Sequence, residues 1–190
     1  MHGCVGYELY EWIRSQYGDL ALLQLLSTAS TKPVGFVTMM AYPDEDFFSF
    51  MDGASRILKK TRGRLLEEFG MFVAAALVEA HTELIPASWS ALDVIEHADS
   101  TIHTVVRREN KDASPPYIRC TRTTAGEVKI IYDSPRKICE FGKGIIIGIG
   151  RYYGERLDVR ETICMHHGHP QCELIVAAAA MSPGPFSHTP

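Results

Sequence analysis

The spacing of apolar residues changes character at Pro115-Pro116, and that change decides the fold class. Upstream, apolar side chains recur at helical spacing; downstream short alternating runs, as strands have, flank one further helical stretch. Tyr7, Leu9, Tyr10, Ile13 and Tyr17, with Trp12, form a stripe that stops at Gly18, a helix-ending glycine. Asp19 to Ser27 reads as a short second helix. Pro43-Asp44-Glu45-Asp46 opens another, with acidic residues set against the helix dipole. Leu65 to Ala80 is apolar nearly all round and is predicted to be buried on several sides. A helix from about Ser90 to Arg108 carries His103 beside the stripe of Leu92, Ile95, Ile102, Val105 and Val106.

After the prolines, Tyr117–Thr123 and Glu127–Asp133 read as a hairpin turning at Ala125-Gly126. Pro135–Tyr153 reads as a helix closed by Gly154. Leu157–Ile163 and Gln171–Val176 form a second strand pair, and residues 177–190 a flexible tail. The expected class is α+β: a helical lobe, then an antiparallel four-stranded sheet with a long helix packed on it.

Composition narrows the function classes. A chain of 190 residues, 46% apolar, fits one domain. A net charge of −4 and no basic run argue against a nucleic-acid surface. No apolar stretch is long enough to span a membrane, and the start MHGCVGYELYEW lacks the pattern of a signal peptide, so a cytoplasmic protein is expected. Five cysteines in a reducing compartment read as ligands or free thiols.

Three stretches carry chemistry. In YDSPR, strand alternation puts Tyr132 and Ser134 on one face, with Arg136 just past the strand end. Phenol, hydroxyl and guanidinium together suit carboxylates, best of all two on one ligand. The plainer alternative is a capped turn with a surface arginine. His103 is either a core or rim histidine or a haem-iron ligand, with the rigid Pro115-Pro116 ledge pressing on a flat macrocycle. The run GKGIIIGIG lacks both the glycine a dinucleotide loop needs at Ile147 and a GK[ST] ending. Its small residues instead allow close approach of a neighbouring element or a flat ligand.

The third stretch, CMHHGHPQC, holds Cys164, His166, His167, His169 and Cys172, and Cys139 lies one turn into the helix before it. Thiolates and imidazoles closing on a turn suit tetrahedral zinc; the alternative is a histidine-rich surface turn with two buried strand cysteines. Cys4 and Cys120 are left as free thiols, more often small buried hydrophobes than sensors.

The MHG start, the AYPDEDF helix opening, the IH of the histidine helix, the double proline and YDSPR together resemble the H-NOX (haem-nitric oxide/oxygen binding) family, related to the haem domain of soluble guanylate cyclase. The resemblance implies an H-NOX haem-binding domain over 1–176, with a helical lobe over about 1–65 and an α+β lobe over about 66–176. It implies haem b with His103 as proximal ligand, Pro116 distorting the porphyrin, and Tyr132, Ser134 and Arg136 holding the propionates. Phe141 stands where oxygen-binding members carry a tyrosine donor, which implies sensing of nitric oxide (and binding of carbon monoxide) rather than oxygen. Some bacterial members carry a cysteine soon after the signature arginine and a Cys-x-His…Cys loop. That pattern picks Cys139, Cys164, His166 and Cys172 for zinc, with His167 and His169 as alternates.

By the same resemblance the chain is no enzyme but a gas sensor acting on a separately encoded histidine kinase or diguanylate cyclase. Nitric oxide opposite His103 would weaken the iron–histidine bond and let the lobes shift. Two other readings compete. One is a redox sensor working through zinc-bound cysteines or the haem oxidation state. The other is a haem-free ligand-binding module with structural zinc.

Overall fold

The computed structural model describes residues 3–28, 40, 42–109 and 114–179. Met1 and His2 of the MHG start, Ala41, the side chain of Cys4 and residues 180–190 of the expected tail lie outside them. Among the described residues four helices come first: α1 (Gly3–Tyr17), α2 (Asp19–Thr28), α3 (Asp44–Leu58) and α4 (Arg62–Glu79). Gly18 ends α1 with φ 84°, a left-handed conformation that glycine takes without Cβ strain. Pro43 precedes α3, whose first turn is Asp44, Glu45 and Asp46. Thr61 caps α4 by accepting from the Arg64 N–H.

The histidine segment departs from the single helix expected over Ser90–Arg108. It is α5 (Ala91–His97), a π turn (Asp99–His103) and α6 (Thr104–Glu109). A capping box between Ser90 and Asp93 starts α5. The π turn carries hydroxyl residues that compete for backbone carbonyls. Ser100 and Thr101 Oγ donate to the His97 carbonyl, and Thr104 Oγ1 joins the Thr104 N–H on that of Asp99.

The sheet contains β1 (Tyr117–Thr124), β2 (Glu127–Asp133), β3 (Leu157–Ile163) and β4 (Cys172–Ala178) in the order β1-β2-β4-β3. The two expected strand pairs are thus joined into one antiparallel sheet by the β2–β4 ladder. Ala177 and Ala178, expected in the tail, continue β4 because they pair with Glu127 and Leu157. Between β2 and β3 runs α7 (Cys139–Tyr152), which starts four residues later than expected. Lys137 takes φ 48° and its N–H closes a turn on the Ser134 carbonyl, so the chain reverses there before it can coil.

Among the described residues, apolar burial falls into three clusters. The first joins α1, α2 and α3 to the N-terminal half of α4 through Leu9, Ile13, Phe47, Met51 and Phe69. The second packs the other half of α4 and α5 on the sheet through Val78, Val94, Val128, Leu174 and Val176. One helix therefore serves both cores, and the expected lobe boundary at 65/66 falls inside it. The third cluster is small: Tyr132, Cys139, Cys164, Met165 and Cys172. α4 and α7 meet where Gly70 and Gly144 lie against each other's helices. A Cβ on Gly144 would overlap the Glu67 carbonyl, so the glycine-rich run serves close helix packing.

Candidate functional site

His103 ends the π turn and is partly buried, its N–H bonded back to the Ala98 carbonyl at 2.9 Å. Its Nδ1 lies 3.3 Å from Asp99 Oδ1, and the Arg107 Nη2 holds that same oxygen at 3.0 Å. A carboxylate on Nδ1 fixes the tautomer and leaves Nε2 with its lone pair outward, the form in which imidazole binds a metal. Burial lowers the His103 pKa, against the opposing pull of Asp99, so the ring is neutral at neutral pH.

The YDSPR run is assembled at the end of β2. Tyr132 and Ser134 are both buried, while Asp133 between them faces solvent. Burial pushes the Tyr132 phenol up to about 12, against the opposing influence of nearby Ser134 and the Ile138 backbone. Arg136 crosses between elements: its Nη1 donates to the Ser114 carbonyl beside the proline ledge, and its Nε lies 2.8 Å from Asp44 Oδ2 at the start of α3. That Nε is buried, with the Asp44 carboxylate as its ion-pair partner. Pro115 and Pro116 are half-buried just before β1. Phe141, in the first turn of α7, stacks on Phe69 with ring centroids 5.2 Å apart and joins the helical-lobe core.

The sequence-predicted residues fit a haem. A mostly buried guanidinium beside a buried phenol and a buried hydroxyl suits carboxylates such as the haem propionates. A neutral imidazole with a carboxylate behind it suits the iron. A separate polar cavity of about 450 Å³ at Tyr17, Lys60 and Glu68 is lined by none of these residues.

The cysteines also converge. Cys164 Sγ lies 3.7 Å from both Cys139 Sγ and Cys172 Sγ, too far for a disulfide, and all three are buried. Burial raises the thiols of Cys139 and Cys164, the former further through nearby Glu140. Cys139 opens α7 rather than lying one turn inside it. The ligand atoms of these three cysteines and Glu161 all lie within 4.8 Å of one another. His166 stands apart from that group, on the 3-10 turn Met165–His167, and shares a second set with Cys139 and Glu140 only. His167 and His169 are exposed and belong to neither set.

Sequence reasoning missed Glu161. Its signal is faint but present: on β3 it shares the inward face of Leu157 and Val159. Cys120 is half-buried on β1, and burial pushes its thiol up to about 12, as for a small hydrophobe rather than a reactive thiol.

The fold is that of haem proteins of the H-NOX class. An H-NOX protein from S. oneidensis, solved in its Fe(II)NO ligation state, matches with a TM-score of 0.87 at 22% identity, covering 95% of this chain and 100% of that one. An Fe(II) unliganded H-NOX protein from K. algicida matches with a TM-score of 0.84 at 15% identity, covering 95% and 97%. A point mutant of the T. tengcongensis H-NOX matches with a TM-score of 0.83 at 16% identity, covering 95% and 98%. No functionally curated protein matches the chain. A family model described as Haem-NO-binding matches residues 2–161, and the chain belongs to that family, whose members are haem-based gas sensors. Among the described residues no helix is long and apolar enough to cross a membrane.

Proposed function

We propose that this chain is a haem-based nitric oxide sensor that controls a separately encoded signalling partner. The observation that carries the haem reading is the meeting of buried Tyr132 and Ser134 with the mostly buried guanidinium of Arg136 at the end of β2. Bound there, haem supplies a ferrous centre that takes a diatomic gas. His103 offers Nε2 to the iron, Asp99 and Arg107 hold the ring's orientation, and Tyr132, Ser134 and Arg136 hold the propionates. Pro116 lies beside the Ser114 carbonyl that Arg136 grips, so ledge and clamp are mechanically linked. Arg136 also reaches α3 through Asp44, which connects the haem edge to the helical lobe. Arg136, holding a propionate, would thereby pass a displacement at the haem edge to α3, where a partner could read it.

The choice of gas rests on Phe141. It is stacked on Phe69 within an apolar cluster and offers no hydrogen-bond donor, which dioxygen needs and nitric oxide does not. The test is a set of absorption spectra of the ferrous protein under nitric oxide, carbon monoxide and air. Nitric oxide and carbon monoxide give stable complexes, and air gives none. Phe141→Tyr should gain an oxygen complex. A long-lived oxygen complex in the unaltered protein would overturn the assignment.

The convergence of Cys139, Cys164 and Cys172 supports a second, redox input through bound zinc. Hydrogen peroxide accepts two electrons from a pair of these thiolates, forming one disulfide and two hydroxide ions and freeing the metal. Peroxide treatment with zinc assay and partner activity as readouts tests this. Zinc retained after disulfide formation, or partner activity unmoved, would count against it.

A further inference from the structure

We infer that the zinc held by Cys139, Cys164 and Cys172 takes Glu161, not a histidine of the CMHHGHPQC loop, as its fourth ligand. This rests on the zinc reading above and goes beyond it by naming the ligand and the residue that orients it.

Three independent observations converge. The Glu161 carboxylate is the group whose ligand atom lies within 4.8 Å of all three cysteine sulfurs. Its two oxygens are unlike: Oε2 accepts from Lys143 Nζ at 3.2 Å, whereas Oε1 is buried without a hydrogen-bond partner. A buried carboxylate oxygen with no donor is costly unless a cation completes it. The third observation concerns His166, the sequence-predicted ligand. Its side chain is 39% exposed and its Nε2 lies 3.6 Å from Glu140 Oε2, and the set it joins contains Cys139 but neither Cys164 nor Cys172. An ion at His166 would forgo two buried thiolates; an ion among the thiolates meets Glu161.

The backbone explains the split. Cys164 is still extended, and the 3-10 turn that follows carries His166 outward while the Met165 N–H donates to Cys172 Sγ at 3.3 Å. Three thiolates and a carboxylate around a doubly charged ion leave an excess of negative charge. Lys143, on α7 and mostly buried, stands where it offsets that excess and aims Oε1 at the sulfurs. Glu161 is thus a ligand and Lys143 a positioning residue.

The experiment uses the haem-loaded protein purified without chelator. X-ray absorption at the zinc edge of the unaltered protein should show three sulfurs and one light-atom ligand without the multiple scattering of an imidazole. Competition with a chromophoric chelator should show Glu161→Gln weakening zinc binding by at least about tenfold, since even outer-shell changes cost about 10–100-fold. His166→Ala should leave zinc affinity unchanged, and Lys143→Met should weaken it with the haem spectrum unaltered. An imidazole signature at the zinc edge, or loss of affinity in His166→Ala but not in Glu161→Gln, overturns the inference while leaving the zinc reading intact. If the unaltered protein takes up no zinc even when it is supplied, both fall.

Discussion

Tyr132 on β2 and Cys172 on β4 are direct antiparallel partners, and their side chains share one small buried cluster. The phenol of the proposed propionate clamp therefore packs on a thiol of the proposed zinc centre. Anything that loosens the cysteines should loosen the clamp. Stripping zinc, or Cys172→Ser, should speed haem loss about fivefold, the equivalent of about 1 kcal/mol for one well-placed hydrogen bond. Haem transfer to an acceptor globin measures it; an unchanged rate would mean the two sites are energetically separate.

Arg136 pairs with Asp44 through Nε and donates to the Ser114 carbonyl through Nη1, which leaves Nη2 for the proposed carboxylate. Arg136→Ala removes a charge-assisted partner from a poorly solvated site, a loss of about 2 kcal/mol or about 30-fold in haem affinity. Arg136→Lys should recover only part of that, because an ammonium cannot reproduce the planar fork. Equal haem affinity in all three proteins would return Arg136 to a purely structural role.

The contact between α4 and α7 depends on the absence of a side chain at Gly144. Gly144→Ala drives a methyl into the Glu67 carbonyl and should separate the helices at a cost of about 2 kcal/mol. For a chain of this size that is a fall in Tm of roughly 4–8 °C. Calorimetry of the two proteins, each with matched haem content, makes the comparison.

Most of the element order was legible because it follows from local chemistry. Pro43 with its acidic turn, Gly18, and the hairpin at Ala125-Gly126 each act within a few residues. The features that escaped depend on distant or competing partners. The π turn at His103 carries hydroxyls competing for carbonyls, which leaves the apolar period unaltered. The late start of α7 follows from a left-handed Lys137, a residue with no propensity for it. Convergence of Cys139 with Cys164 and Cys172 was foreseen, but which neighbour completes them is set by a turn that rotates His166 outward and by strand alternation that brings Glu161 inward. Tyr132, Ser134 and Arg136 were readable because their spacing straddles a strand end. Their link to Asp44 joins residues far apart in sequence and was not.

Glu68 gives the fold a pH signature. It accepts from Lys60 at 2.8 and 3.0 Å, from Arg64 at 2.9 Å and from Tyr17 at 3.1 Å. Burial pushes its carboxyl up, yet these donors outweigh burial and hold it below the usual glutamate value. A folded pKa below the unfolded one means the unfolded chain binds more protons as the pH drops. The stabilisation is complete above the unfolded value and is lost as pH falls through the folded one. The urea midpoint should therefore decline as the pH falls through and below the ordinary glutamate range, and Glu68→Gln should flatten that decline. Parallel slopes in the two proteins would contradict it.

The central claim is that His103 binds haem iron in a pocket whose clamp is Tyr132, Ser134 and Arg136. Titration of haem into the apoprotein, followed by absorption in the ferrous state, tests it most directly when done side by side with His103→Ala. The account predicts saturable uptake with an intense Soret band in the unaltered protein. In His103→Ala it predicts weak or displaced absorption that added imidazole restores. Identical spectra and affinities in the two proteins, or no uptake by either, would contradict it.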